Sequence, residues 1–122
     1  MIPILRQGHY LIASIQAALT DSEMKALRAE LLERVGAERA RGIIVDVGGL
    51  DVIDSYSARS LTDLAATLRL RGARMVVVGI RPEVAFSMVR FGLDMHRLDT
   101  VLDLDEGLQS LERWTRRWPN GG

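Results

Sequence analysis

Two apolar runs constrain this chain more than anything else in it: GIIVDVGG at 42–49 and ARMVVVGI at 73–80. Each is a short, continuous stretch of aliphatic residues, the pattern of a strand covered on both faces. Between them Ala58, Leu61, Leu64, Ala65 and Leu68 recur at helical spacing, after an Asp-Ser pair and before Gly72. Strand, helix and buried strand in succession argue for a mostly parallel sheet with helices packed against it.

The flanking segments extend this unit on both sides. IPILR at 2–6 and YLIASI at 10–15 are β-prone runs separated by Gln7-Gly8-His9, which reads as a hairpin. Thr20 with Glu23 makes a capping box, and Met24, Leu27, Leu31 and Val35 then mark an amphipathic helix ending near Gly36. Pro82 suits a first helical position, and residues 83–91 turn Val84, Ala85, Met88 and Val89 inward before Gly92. Residues 98–102 suggest a last short strand. Asp103 and Glu106 form a second capping box, for a helix burying Leu104, Leu108, Leu111 and Trp114. The expected order is β-β-α-β-α-β-α-β-α, an α/β fold with a mixed sheet opened by a hairpin and about four helices. Residues 1–118 read as one domain and 119–122 as a short tail.

Composition removes several function classes. There is no cysteine, so thiol catalysis, disulfides and thiolate metal sites are excluded. Sixteen basic residues balance sixteen acidic ones, so the whole-chain field steers toward neither nucleic acid nor membrane. The N-terminal stretch does not read as a signal peptide, and no apolar run approaches the ~20 residues of a membrane span. The expectation is a cytoplasmic protein with no cofactor and no metal.

The chemistry then turns on DVIDSYSAR at 51–59. In open sheets of this kind, sites lie at the carboxyl ends of strands beside helix N-termini, which puts Ser55 at the functional edge. Serine catalysis needs a base, and the only histidines, His9 and His96, fall in loops elsewhere. Gly-x-Ser-x-Gly and the phosphate-loop motifs are absent, and Gly48-Gly49 reads as a tight turn out of the strand. A receiver-type phosphoaspartate at Asp46 lacks the acidic cluster and lysine it needs. Asp46, Asp51 and Asp54 more often cap amides or face water than hold a metal. Ser55 remains as a helix cap, a phosphoacceptor, or both. A phosphate there meets free amides and the positive end of the helix dipole, and it adds negative charge beside Asp51 and Asp54. Arg59 lies one turn along, and Ser57 and Ser60 are secondary candidates.

The element order and IIVDVGGLDVIDSYSARSL resemble the STAS family of anti-sigma-factor antagonist domains, from IPIL through DLDEGLQSLE. The resemblance implies that Ser55, preceded by Asp54, is the phosphorylatable serine. Tyr56, Ala58 and Arg59, with VVVGIRPEVA at 76–85, are similar to the stressosome branch of that family and depart from its simplest antagonists. What this implies is a non-enzymatic scaffold that sequesters an RsbT-like serine/threonine switch kinase until Ser55 is phosphorylated. Asp51, Asp54, Tyr56 and Arg59 would form the switch surface. The implied partners are RsbR-type sensor paralogues in a homo- or hetero-oligomer, and a phosphatase that resets the serine. A direct anti-sigma antagonist and an unphosphorylated interaction module are the alternatives.

Overall fold

The computed structural model describes residues 2–119; the last three residues of the expected tail lie outside the described residues. A five-stranded sheet runs in the order β1 (Ile4–Gln7), β2 (Tyr10–Ser14), β3 (Gly42–Asp46), β4 (Arg74–Val78), β5 (Asp99–Val101). β1 pairs antiparallel with β2, and the remaining pairs are parallel. The helices are α1 (Asp21–Glu38), α2 (Ser55–Leu70), α3 (Pro82–Arg90) and α4 (Leu104–Arg117), with a 3₁₀ turn at Met95–Arg97.

Register sorts the strand residues into two layers. Leu11, Ile43 and Met75 lie in one row and join the buried side chains of α1, α2 and α3. Ile12, Ile44 and Val76 lie in the next row and face the opposite way, against Leu111 of α4. The two central strands are therefore covered on both faces, which is why they read as unbroken apolar runs. Gly42 and Gly107 let α4 sit close. A Cβ on Gly42 would meet Leu111 Cδ2 at 2.8 Å, and one on Gly107 would meet Val78 Cγ1 at 3.0 Å.

Several expectations need correction. The hairpin turn is shorter than the three-residue break suggested, because Gln7 pairs with Tyr10 and leaves Gly8-His9 as the turn, with Gly8 at φ 61°. Gly36 lies inside α1, which continues to Glu38 and ends on Arg39 in the left-handed conformation. On α3 Val84 and Met88 are buried, but Val89 is 58% exposed and Phe86 64%, since nine residues present only one narrow stripe to the sheet. On α4 Gly107 and Leu111 make the buried face, while Leu104 points outward. Trp114 is half-buried, with the Arg41 guanidinium 5.3 Å above its ring.

The first capping box forms in full, Thr20 and Glu23 each accepting the other's backbone amide. The second is rearranged: Asp103 accepts from the Glu106 amide, and Glu106 accepts from Leu102 instead of from Asp103. On the outer edge Glu38 accepts from Arg34 Nε at 2.6 Å and from Arg6 Nη1 at 3.1 Å. Arg34 also donates to the Ile4 carbonyl of β1 at 3.2 Å. These bonds hold the Glu38 carboxyl below its ordinary range, with the Arg34 bond as the largest cause.

Candidate functional site at the start of α2

β2, β3 and β4 all end at one edge, and three glycines let those ends crowd together. A Cβ on Gly49 would lie 2.9 Å from Gln16 Cα, and one on Gly79 would lie 3.1 Å from Gly48 Cα. Gly79 has φ 77°, whereas Gly48 and Gly49 do not take positive φ. The pair forms the expected tight turn out of β3, closed by the Leu50 amide donating to the Val47 carbonyl at 2.9 Å, and its missing side chains serve close backbone approach. Asp46 folds back so that its Oδ1 accepts from the Gly48 amide at 2.9 Å. Arg81, which immediately precedes α3, donates from Nε to the Gly48 carbonyl at 3.0 Å.

From this platform the chain rises through Asp51 and Val52, both exposed, and drops Ile53 into the core. Asp54 is the N-cap of α2, its Oδ1 accepting from the Ser57 amide at 2.7 Å. Ser55 is thus the first helical residue and not the cap, a correction to the reading of the serine as both. Among the described residues no hydrogen bond holds its hydroxyl in the fold. Ser55 is half-buried at the helix end, and Arg59 is exposed one turn along. Tyr56 is half-buried and packs on the main core. Ser57 is only 9% exposed and lines a cavity of about 20 Å³ with Ile15, Met24, Leu50, Ile53 and Leu61. Such a space holds about one water and no ligand of ordinary size.

Neither histidine lies at this edge. Both histidines precede a parallel strand, His9 before β2 and His96 before β5, so they lie toward the opposite edge from Ser55. Among the described residues no three His, Cys, Asp or Glu side chains gather closely enough to hold a metal, so Asp46, Asp51 and Asp54 do not form one. Also among them, no helix is long and apolar enough to cross a membrane. Sequence reasoning missed Arg81. The available signal was Gly-x-Arg-Pro after a buried strand, since every parallel strand delivers its end to this edge.

The comparisons agree with this architecture. The structure superposes on a serine-to-glutamate variant of RsbS from Moorella thermoacetica with TM-score 0.84 and 30% identity, over 94% of this chain and 97% of that one. A chain of the stressosome, described as a signal integration and transduction hub, gives TM-score 0.75 and 29% identity, over 93% and 99%. In sequence the chain is 26% identical to the RsbT co-antagonist RsbRA of Bacillus subtilis over 117 residues, 96% of this chain but 42% of that protein. It is therefore a stressosome-related protein similar to RsbS and RsbR, and it spans less than half of RsbRA. The STAS domain model matches residues 1–106, and the chain belongs to the STAS domain family.

Proposed function

We propose that this chain is a stressosome scaffold and antagonist of the RsbS kind, which holds a serine/threonine switch kinase and releases it when Ser55 is phosphorylated. The observation that carries this reading is the division of labour at the start of α2. Asp54 supplies the cap, so the Ser55 hydroxyl is not committed to the fold and is open to modification. A phosphate on Ser55 sits beside the unpaired first-turn amides and the positive end of the helix dipole, so the fold tolerates it. It also adds nearly two negative charges next to exposed Asp51 and Asp54, which repels an acidic kinase surface. Arg59 on the same face offers partial compensation. Ser57 is the weaker acceptor, because its burial would require α2 to open first.

In this reading the protein performs no catalysis of its own and acts in the cytoplasm. An RsbT-like kinase phosphorylates Ser55, RsbR-type STAS paralogues share the assembly, and a phosphatase resets the serine. Incubation with such a kinase and ATP, followed by intact-mass measurement, tests it. One added phosphate on the wild type and none on Ser55→Ala is expected. An unmodified wild type, or equal modification of Ser55→Ala, would overturn the switch.

A further inference from the structure

We propose that the outer face of α4, flanked by Leu5 of the hairpin, is a two-fold contact surface for a second copy of this chain. Asp105, Gln109, Glu112 and Arg116 are all exposed and fall at i, i+4, i+7 and i+11, one stripe along the helix. A two-fold axis between positions 109 and 112 sets a second α4 antiparallel to the first. Asp105 of each copy then meets Arg116 of the other, and Gln109 meets Glu112. Every pairing occurs twice, and no like charges oppose one another. Parallel alignment in register would instead set Asp105 against Asp105 and Arg116 against Arg116. The charge order along one helix therefore selects both the partner and its direction.

Apolar surface flanks the stripe. Leu108, half-buried, packs on the cluster that contains Ile12 and Leu111. α4 lies on β3, β4 and β5 and reaches β2, where the Tyr10 and Thr115 hydroxyls meet at 3.0 Å, but on the outer strand β1 Leu5 stays open. Leu5 stands directly across the ladder from Ile12 and shares its face, yet it is 66% exposed where Ile12 is 8%. A second copy would cover this side chain.

The proposal extends the scaffold reading to the contact between copies. Sedimentation velocity and light scattering on the full chain over a concentration series test it. A concentration-dependent dimer is expected. Leu5→Glu, Asp105→Arg and Arg116→Asp should each raise its dissociation constant by about tenfold or more, since every change acts twice across the axis. Equimolar Asp105→Arg and Arg116→Asp chains should regain affinity as a mixed dimer, an outcome that general unfolding cannot produce. Circular dichroism of each variant should match wild type. A chain that stays monomeric alone at every concentration, or associates only with a paralogue, overturns the proposal, as does an unchanged dimer in all three variants. Ser55 phosphorylation is read separately on the same samples; a dimer that takes no phosphate supports this contact and sinks only the switch.

Discussion

Gly42 and Leu111 form a lock whose removal in two steps should reverse the sign of one substitution. In wild type, a methyl at position 42 meets Leu111 Cδ2 at 2.8 Å, Cδ1 at 3.0 Å and the Arg74 carbonyl at 3.1 Å. Relaxed carbon contacts need about 3.5–4.0 Å, so Leu111 must retreat by roughly half an ångström or more. Leu111 is fully buried and cannot move outward without disturbing Ile44 and Val76. Overpacking of this kind costs about 1–3 kcal/mol, less about 0.5 kcal/mol recovered because alanine narrows the unfolded ensemble. Gly42→Ala alone should therefore destabilise by about 0.5–2.5 kcal/mol. Leu111→Ala alone opens a cavity and should cost about 3 kcal/mol. With Leu111 already truncated, the methyl at 42 enters vacant space and only the Arg74 carbonyl remains tight. Adding Gly42→Ala to Leu111→Ala should then be neutral or stabilising by a few tenths of a kcal/mol, a coupling of about 0.5–3 kcal/mol between the sites. Urea denaturation of the four chains, followed by far-ultraviolet circular dichroism, measures the cycle. If Gly42→Ala costs the same in both backgrounds to within about 0.5 kcal/mol, α4 is not seated by this contact.

Three further outcomes follow from the site and the edge. Asp54→Ala should lose about 1 kcal/mol of stability with the cap, whereas Ser55→Ala should change it by less than about 0.5 kcal/mol; equal losses in urea melts would show that the serine also caps. Glu38 has a lowered carboxyl pKa in the folded chain, so its contribution is fully present above the ordinary carboxylate value and is lost as pH falls through the lowered one. The stability gap between wild type and Glu38→Gln should therefore be flat above about pH 5 and close in acid, and a gap that widens in acid would contradict the network. Arg81→Ala should slow Ser55 phosphorylation by loosening the Gly48 turn, mainly through KM; unchanged kinetics would leave Arg81 without a positioning role.

The sequence carried the fold where periodicity and burial coincide. The apolar part of the buried face of α2 was legible, because a helix between two doubly covered strands must spend its apolar stripe on them, but Ser57, read as a secondary phosphoacceptor, is buried on that face too. On α3 and α4 the same rule failed in an instructive way. Val89 and Leu104 are apolar and at helical spacing, yet both are exposed, while Gly107 carries the close contact with β4. Hydropathy cannot mark a glycine that is needed for proximity. At the site, Ser55 and Asp54 were readable as a pair, but their order of duties was not. That order depends on which side chain turns back to the Ser57 amide. Arg81 was invisible for a related reason, since its partner is a backbone carbonyl thirty-three residues away.

The bond from Arg34 to the Ile4 carbonyl has a consequence for how copies of this chain can accumulate. An open strand edge is a template: one chain can extend it, the next can extend that one, and nothing in the geometry says stop. Here a guanidinium, itself held by Glu38, occupies an acceptor that a newcomer would need. Fibre-like growth through β1 must first break a charged bond, while contacts through side-chain faces meet no such obstacle. The chain can thus be crowded at high local concentration and still be steered toward finite assemblies instead of open-ended ones.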